Sequence, residues 1–389
     1  MKIALFNYQM LEFGGGVAKY FIEVSRGLKK RYPDLEISLI NFDESALKWI
    51  LLGYSLYFFG KQDRSLNNKE EISTLQNKSK TINYLKVGSI NKLRSELQKY
   101  DVVYTTNNLF EVLLLKYILS FKDLPPIIFG FHIPAYFPLT GTLQSKLHNF
   151  IYASKIYLNA IAGGKKLHLV NNFDEELFGK YFSKEKIVKI NYPYDFSLNL
   201  KKISKFKSRG QNGVRKIAWI GRLTEQKGID DLAKLVERIN STGLKNKVQW
   251  IIAGDGELKP KILNLVRSWN NIKYLGYVQN KEIGKILREV DLFISTSKWE
   301  SFPYNILEAQ SFGLPVVAYN IHGCRDIITD SKNGVLVNDF EQFQSKIVQL
   351  IRQNYFRKEK ILKFVQNKFD QEKIYKKMYE LLKLTVGTM

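Results

Sequence analysis

Cysteine is almost absent: the chain of 389 residues has one, Cys324. That excludes a disulfide within one chain and a zinc cluster built on cysteines. Acidic residues are also short, 37 Asp and Glu against 60 Lys and Arg, which leaves a formal net charge of +23. Such an imbalance bears on partners rather than on fold. Nucleic acid, an acidic membrane surface and phosphorylated substrates are the anionic candidates. Helix-turn-helix, zinc-finger and aromatic ribonucleoprotein signatures are all missing, so nucleic acid is not expected. The excess is mostly lysine, and a genome of biased base composition accounts for it as well as membrane attraction does. No apolar run reaches the ~20 residues of a spanning helix. The start, Met1-Lys2-Ile3-Ala4-Leu5-Phe6-Asn7, lacks the longer apolar core and small-residue cleavage site of a secretory signal. A cytoplasmic location is the expectation that follows.

What is present fits a globular protein, with 45% hydrophobic and 13% aromatic residues. The length suits two domains, each with its own core. Lys2 to Asn7 reads as a strand, and Gly14-Gly15-Gly16 opens a helix through Val17, Tyr20, Phe21, Val24 and Leu28. Strand, glycine loop and helix let a backbone approach a phosphate or sugar, although a tight turn without ligand reads equally well. The dinucleotide fingerprint Gly-x-Gly-x-x-Gly is not there. Further strands are legible at Leu35 to Asn41, Asp101 to Thr105, Pro126 to Phe131 and Leu167 to Val170. They alternate with helical stretches from Leu109 to Phe121 and from Thr142 to Ile161, a pattern that favours a parallel sheet. His132 follows the strand ending at Phe131, and ligands lie at the carboxyl ends of parallel strands. A lone His there is also a common structural hydrogen-bonder.

The run Trp49-Ile50-Leu51-Leu52-Gly53-Tyr54-Ser55-Leu56-Tyr57-Phe58-Phe59 is flanked by Lys48 and Lys61. It suits a bilayer interface, a helix buried in the domain or a dimer contact. Gln62 to Lys80, rich in Asn, Lys, Ser and Glu, reads as a surface loop. The alternation breaks down from Tyr192 to Gln211, the best candidate for an interdomain linker.

The pattern restarts at Lys216 to Ile220, which runs into Gly221-Arg222-Leu223-Thr224-Glu225-Gln226-Lys227-Gly228 and a helix. Strands follow at Val248 to Ala253, Ile272 to Leu275, Asp291 to Thr296, Val316-Val317 and Gly334 to Val337, alternating with helices. Each of the first four ends in a loop that carries chemistry. Arg222 and Lys227 flank a glycine-containing turn where a guanidinium fork and a compact ammonium can grip phosphate. Gly254-Asp255-Gly256 and Gly276-Tyr277-Val278 close the next two strands. Trp299-Glu300-Ser301-Phe302-Pro303-Tyr304-Asn305-Ile306-Leu307-Glu308 carries a strand into a helix that Gly313 is placed to end. Unpaired N–H groups at such a helix start favour an anion. Glu300 and Glu308 can then accept from the hydroxyls of sugar and ribose. Taken alone, the two glutamates read equally as a dipole partner and a solvated helix face. With Arg222 and Lys227 on the same sheet edge, a diphosphate clamp and two hydroxyl acceptors describe one ligand, a nucleotide sugar.

In order and spacing, these motifs over residues 214 to 340 resemble the retaining glycosyltransferases of the two-Rossmann-domain (GT-B) type, specifically glycosyltransferase family 4. Gly313-Leu314-Pro315-Val316-Val317 and Asn333-Gly334 complete the match. The first half matches less closely, through its glycines and His132. The resemblance implies an α/β fold of two Rossmann-like doubly wound parallel-sheet domains facing a cleft. Residues 1–195 would bind acceptor, 196–213 would link, 214–368 would bind donor, and a helix in 369–389 would cross back to the first domain. It further implies that Arg222 and Lys227 neutralise the nucleotide diphosphate, Glu308 takes the ribose, and Glu300 takes the transferred sugar. Ser301, Phe302, Pro303, Tyr304, Asn305, Ile306 and Leu307 would cap sugar and phosphate. Gly254, Tyr277 and Val278 would line the base pocket, Gly15 and Gly16 would face the diphosphate, and His132 the sugar.

The implied activity is metal-independent transfer of a hexose-type sugar to a polysaccharide, glycolipid or glycoprotein, with no separate cofactor. A UDP-sugar is expected over a GDP-sugar as donor. No Asp-x-Asp motif stands where a metal would be needed, and the departing phosphate helps deprotonate the acceptor in this family. Peripheral membrane contact through Trp49–Phe59 and the basic surface, and an oligomer, are further expectations about partners. The alternative is a catalytically silent subunit of the same fold that binds an acceptor or an enzyme, and Asn171-Asn172-Phe173 and Ile190-Asn191-Tyr192-Pro193 do depart from the family pattern. Intact Glu300, Glu308, Arg222 and Lys227 count against it.

Overall fold

The computed structural model describes residues 1–8, 16–42, 82–137, 143–196, 213–353 and 355–387. Gly15, the run Trp49–Phe59, the polar stretch after it and linker residues 197–212 lie outside the described residues. The chain forms two compact units, Met1–Pro193 with Asp370–Met389, and Tyr194–Phe369.

The first unit holds a seven-stranded sheet. Its strands are β1 (Lys2–Tyr8), β2 (Glu36–Phe42), β3 (Ile82–Val87), β4 (Val102–Thr106), β5 (Ile127–Gly130), β6 (Lys166–Leu169) and β7 (Ile187–Lys189), in the order β3-β2-β1-β4-β5-β6-β7. Every pair is parallel. Central strands such as β1 and β4 are buried along nearly their whole length, as expected where helices cover both faces. The outermost strands, β3 and β7, are the ones the hydrophobic pattern does not reveal. β3 is only intermittently buried and β7 is three half-buried residues. The stretch expected as one helix from Thr142 to Ile161 is two, Leu143–Tyr152 and Lys155–Ala162. Ser154 caps the second, its hydroxyl accepting from the Tyr157 N–H at 3.2 Å. The helix from Leu109 is α-helical to Leu113 and widens to a π-turn from Leu114 to Ile118.

The last helix, Gln371–Val386, belongs to this first unit. Asp370 caps it, and its apolar side packs on the helix Gly16–Arg31. Tyr375 lies against Gly27, where any Cβ would come within 1.9 Å of the ring. Its hydroxyl donates to the Glu23 carbonyl at 2.9 Å, and Arg31 covers the ring at 4.2 Å. Tyr32 and Tyr379 stack at 3.8 Å.

The second unit holds a six-stranded sheet in the order β10-β9-β8-β11-β12-β13. The strands are β8 (Arg215–Ile220), β9 (Val248–Ala253), β10 (Ile272–Tyr274), β11 (Leu292–Ser295), β12 (Val316–Tyr319) and β13 (Gly334–Val337), again all parallel. Its core gathers Trp219, Trp250, Leu235, Ile294 and Phe343. In both sheets the order reverses beside the first strand, between β1 and β4 and between β8 and β11. A crevice opens at such a reversal, at the carboxyl ends of the strands.

Candidate functional site

In the second unit the reversal point joins two loops that the sequence separates by about seventy residues. One follows β8. Gly221 donates to the Ala253 carbonyl at 3.0 Å, and Thr224 begins a single 3-10 turn, Glu225–Lys227. Gly228 then takes a left-handed φ of 65° and starts the helix Ile229–Asn240. A Cβ there would sit 2.0 Å from the Thr296 carbonyl oxygen, so glycine is required by approach as well as by φ. The other loop follows β11, and Thr296 ties the two together. Its hydroxyl donates to the Lys227 carbonyl at 2.7 Å and accepts from the Trp219 indole at 3.1 Å.

Gln226 completes the splice. Its carbonyl oxygen on the side chain accepts from the Arg222 guanidinium at 3.0 Å, and its amide donates to the Trp299 carbonyl at 3.1 Å. The Lys298 N–H donates to its backbone carbonyl at 2.8 Å. Lys227 forms an ion pair with Glu300, the two side chains being 14% and 10% exposed. Burial pushes the Arg222 guanidinium below its ordinary value, with the Glu300 and Glu257 carboxylates opposing that shift. It stays a cation throughout the physiological range.

Around this centre the remaining loops close in. Gly254 has φ 145° and passes so near the β8 loop that a Cβ would lie 1.7 Å from the Gly221 oxygen. Gly256, with φ 151°, does the same beneath Leu223. At the end of β10, Tyr277 is exposed and Val278 half-buried. The helix expected after Pro303 runs Tyr304–Gln310, and Pro303 stands at its cap. Ser301, Phe302, Tyr304, Ile306, Leu307 and Glu308 are buried. Asn305 donates to the Ile220 carbonyl at 3.0 Å. Among the described residues, its side-chain oxygen and the Thr224 hydroxyl are buried without a hydrogen-bond partner. Both Asn41 side-chain polar atoms, in β2 of the first unit, are in the same position, so this feature is shared by the two units.

Several supports were not singled out from the sequence. Gln226 and Thr296 are two. A third is Gln310, fully buried like Asn333 of the matched Asn333-Gly334: Asn333 donates to the Gln310 side chain at 3.0 Å and accepts from the Thr329 N–H at 2.7 Å. Gly323 donates to the Glu300 carbonyl at 3.2 Å, and a Cβ there would meet Ser301 at 2.6 Å. Glycine supplies a signal for the last; side-chain amides that bridge distant loops leave none.

The first unit treats its strand ends differently. His132 stands at the end of β5, 6% exposed, and both ring nitrogens are engaged. Nδ1 meets the Tyr192 hydroxyl at 2.8 Å and Nε2 the Tyr104 hydroxyl at 2.8 Å. Tyr104 also meets His168 Nδ1 at 2.6 Å, and His168 Nε2 faces the Ile190 carbonyl at 2.8 Å. That carbonyl only accepts, so the protons are assigned along one direction: Tyr192 to His132, His132 to Tyr104, Tyr104 to His168, His168 to Ile190. Burial lowers both imidazoles, His132 well below and His168 to about 4. Both nitrogens of His132 have partners within the unit, and the ring ties Tyr192 and the end of the first unit to the sheet. Between β1 and β4, Glu111 is buried and accepts from Asn7, the Tyr8 N–H, Thr105 and both the hydroxyl and N–H of Thr106. Burial raises its carboxyl against the lowering effect of those donors. Gly16 begins the first helix, with open space where its Cβ would be.

Residues 214–353 match the family model for glycosyl transferases group 1. Over 34% of its length the chain is 33% identical to UDP-Gal:alpha-D-GlcNAc-diphosphoundecaprenol alpha-1,3-galactosyltransferase of Escherichia coli, covering 35% of that protein. It is 29% identical to poly(ribitol-phosphate) alpha-N-acetylglucosaminyltransferase of Staphylococcus aureus over 56% of its own length and 42% of the relative's. The chain spans about half the length of other curated relatives it matches, 47% and 52%. Among solved structures, Anabaena HepE in complex with UDP-glucose is similar over 98% of this chain and 99% of that one, with a TM-score of 0.68 at 18% identity.

Proposed function

We propose that the chain, which has the GT-B fold and matches glycosyl transferases group 1 over residues 214–353, is a glycosyltransferase that moves a hexose-type sugar from a nucleoside diphosphate sugar with retention of configuration. The observation that carries this is the meeting of Arg222, Lys227 and Glu300 at the reversal between β8 and β11. Two cations suit a diphosphate, and a carboxylate beside them suits the hydroxyls of the sugar it carries. Glu308, in the helix after Glu300, takes the ribose. Ser301 to Leu307 cap sugar and phosphate, while Gly254, Tyr277 and Val278 border the base. The Asn305 oxygen and the Thr224 hydroxyl give further places for donor hydroxyls.

Bond breaking at the anomeric carbon passes through an oxocarbenium-like state while negative charge gathers on the leaving diphosphate. Arg222 and Lys227 are already in place to meet that charge, which is where preorganised electrostatics lower a barrier. A metal is not needed for that step, and the departing phosphate itself accepts the acceptor's proton. His132 acts by holding the Tyr104 and Tyr192 hydroxyls rather than by touching sugar. UDP is the favoured nucleotide, in line with the UDP-Gal in the name of the E. coli relative and the UDP-glucose bound to HepE. The acceptor is a glycan, glycolipid or glycoprotein, and the relatives named for lipid-linked and poly(ribitol-phosphate) acceptors support that class. Work at the cytoplasmic membrane face, through basic surface and the run Trp49–Phe59, belongs to the same proposal. No helix among the described residues is long and apolar enough to cross a membrane.

The test is a thermal-shift panel of UDP- and GDP-sugars, followed by transfer and hydrolysis assays on the best one with and without chelator. A clear shift with a UDP-sugar, turnover unchanged by chelator and a product of unchanged anomeric configuration are expected. A folded protein that no nucleotide sugar stabilises would sink the proposal.

A further inference from the structure

The two groups that the proposed function assigns to different ends of one donor are bonded to each other. Lys227 is assigned to phosphate and Glu300 to sugar hydroxyls, yet their side chains form an ion pair with little exposure to water. The pair is held from several sides. The Thr296 hydroxyl donates to the Lys227 backbone carbonyl at 2.7 Å and so fixes the turn that carries the ammonium. Gly323 bonds the Glu300 carbonyl, and the buried Cys324 follows it. Arg222 has its own side-chain partner in Gln226.

We infer that this ion pair makes the site discriminate between a nucleoside diphosphate sugar and the free nucleoside diphosphate, in favour of the sugar nucleotide. The inference rests on the donor reading above. An arriving diphosphate competes with Glu300 for the Lys227 ammonium, a compact charge with three N–H donors. A poorly hydrated carboxylate that loses its cation is strongly disfavoured. A free nucleoside diphosphate draws Lys227 away and offers nothing to Glu300. Its terminal phosphate, with a second pKa of about 6, also brings close to two negative charges toward the carboxylate. In a sugar nucleotide that phosphate is esterified and carries one charge, and the sugar hydroxyls donate to Glu300 where the ammonium stood. The exchange of partners is then complete for the substrate and incomplete for the spent nucleotide. Once the sugar has left, re-forming the pair withdraws Lys227 from the diphosphate and favours its release.

The experiment is calorimetric titration of wild type, Glu300→Gln and Glu300→Asp with UDP and UDP-glucose, and with GDP and GDP-mannose in parallel. Thermal unfolding without ligand accompanies each variant. Glu300→Gln frees Lys227 and removes the opposing charge, so free nucleotide should bind about tenfold tighter or more, while the sugar nucleotide gains less or loses. The preference ratio should fall by at least about tenfold. Glu300→Asp, which keeps the charge but shortens the reach to the ammonium, should move the ratio the same way by less, and it decides the matter if Glu300→Gln does not fold. Wild-type binding of both ligands with free-nucleotide affinity unchanged or weakened in these variants overturns the inference and leaves the donor reading standing. Absence of binding of every nucleotide and sugar nucleotide to folded wild type overturns both.

Discussion

At the ends of β8 and β11, Arg222, Lys227 and Glu300 keep their charges within reach of a ligand. At the ends of β1, β4 and β5, Glu111 has five donors and His132 has both nitrogens occupied. The two sheets share parallel strands and a reversal of order, so architecture does not separate them. What separates them is the kind of group at the strand ends: a cluster of two cations and a carboxylate in the second unit, a neutral histidine–tyrosine chain and a carboxylate with five donors in the first. Charged groups paired near a loop surface can exchange partners with a charged ligand, whereas a fully buried chain of neutral hydrogen bonds stabilises the unit that carries it. The comparison predicts that variants of the second unit's edge lose chemistry and keep stability, and that variants of the first unit's edge do the reverse.

The largest effect is expected from Arg222→Ala and Lys227→Ala, which should each lower turnover by about 10²-fold or more, the usual loss on removing one transition-state donor. Steady-state assays with the best donor measure it, and near-wild-type rates would dissolve the contrast. Next is Glu111→Ala, which strands several buried donors and should destabilise by about 3 kcal/mol while donor affinity holds. Denaturant unfolding and nucleotide titration on the same variant check both halves. Gly254→Ala crosses the boundary between the classes, since it strains the backbone that forms the binding edge. A cost of about 1–3 kcal/mol is expected, seen as a lower melting temperature along with weakened donor binding.

The smallest effect is a pH slope. His132 and His168 are held neutral by burial, with His168 near 4 in the folded state against 6.5 unfolded. The unfolded chain therefore binds more protons, and stability present above pH 6.5 should be lost as pH falls toward 4. His168→Asn should flatten that slope in unfolding measurements, and an unchanged slope would remove the imidazoles from the account.

The difference between the two edges also explains what could be read from sequence. Glycines at 228 and 254 announce themselves because positive φ and close backbone approach admit little else. Central strands such as β4 and β9 are legible as runs rich in β-branched and aromatic residues, whereas β3, at the sheet's edge, and β7, three residues long, carry too weak a pattern. The cationic loop and the two glutamates are legible as types, and the pairing of Lys227 with Glu300 is not, because it depends on where two distant loops meet. The same limit applies to His132: its place at a strand end follows from order along the chain, while the Tyr104 and Tyr192 hydroxyls that occupy it come from residues 28 and 60 positions away.

The last helix adds a consequence for synthesis. Tyr375 closes over Gly27 and Tyr379 stacks on Tyr32, so the first unit is finished with residues made after the whole second unit. Domains ordinarily complete themselves in the order in which the ribosome releases them. Here the contiguous second unit is whole first, and the helix Gly16–Arg31 keeps one face uncovered until the helix Gln371–Val386 has been made. A chain cut just before Asp370 would display that apolar face while already carrying a complete second unit.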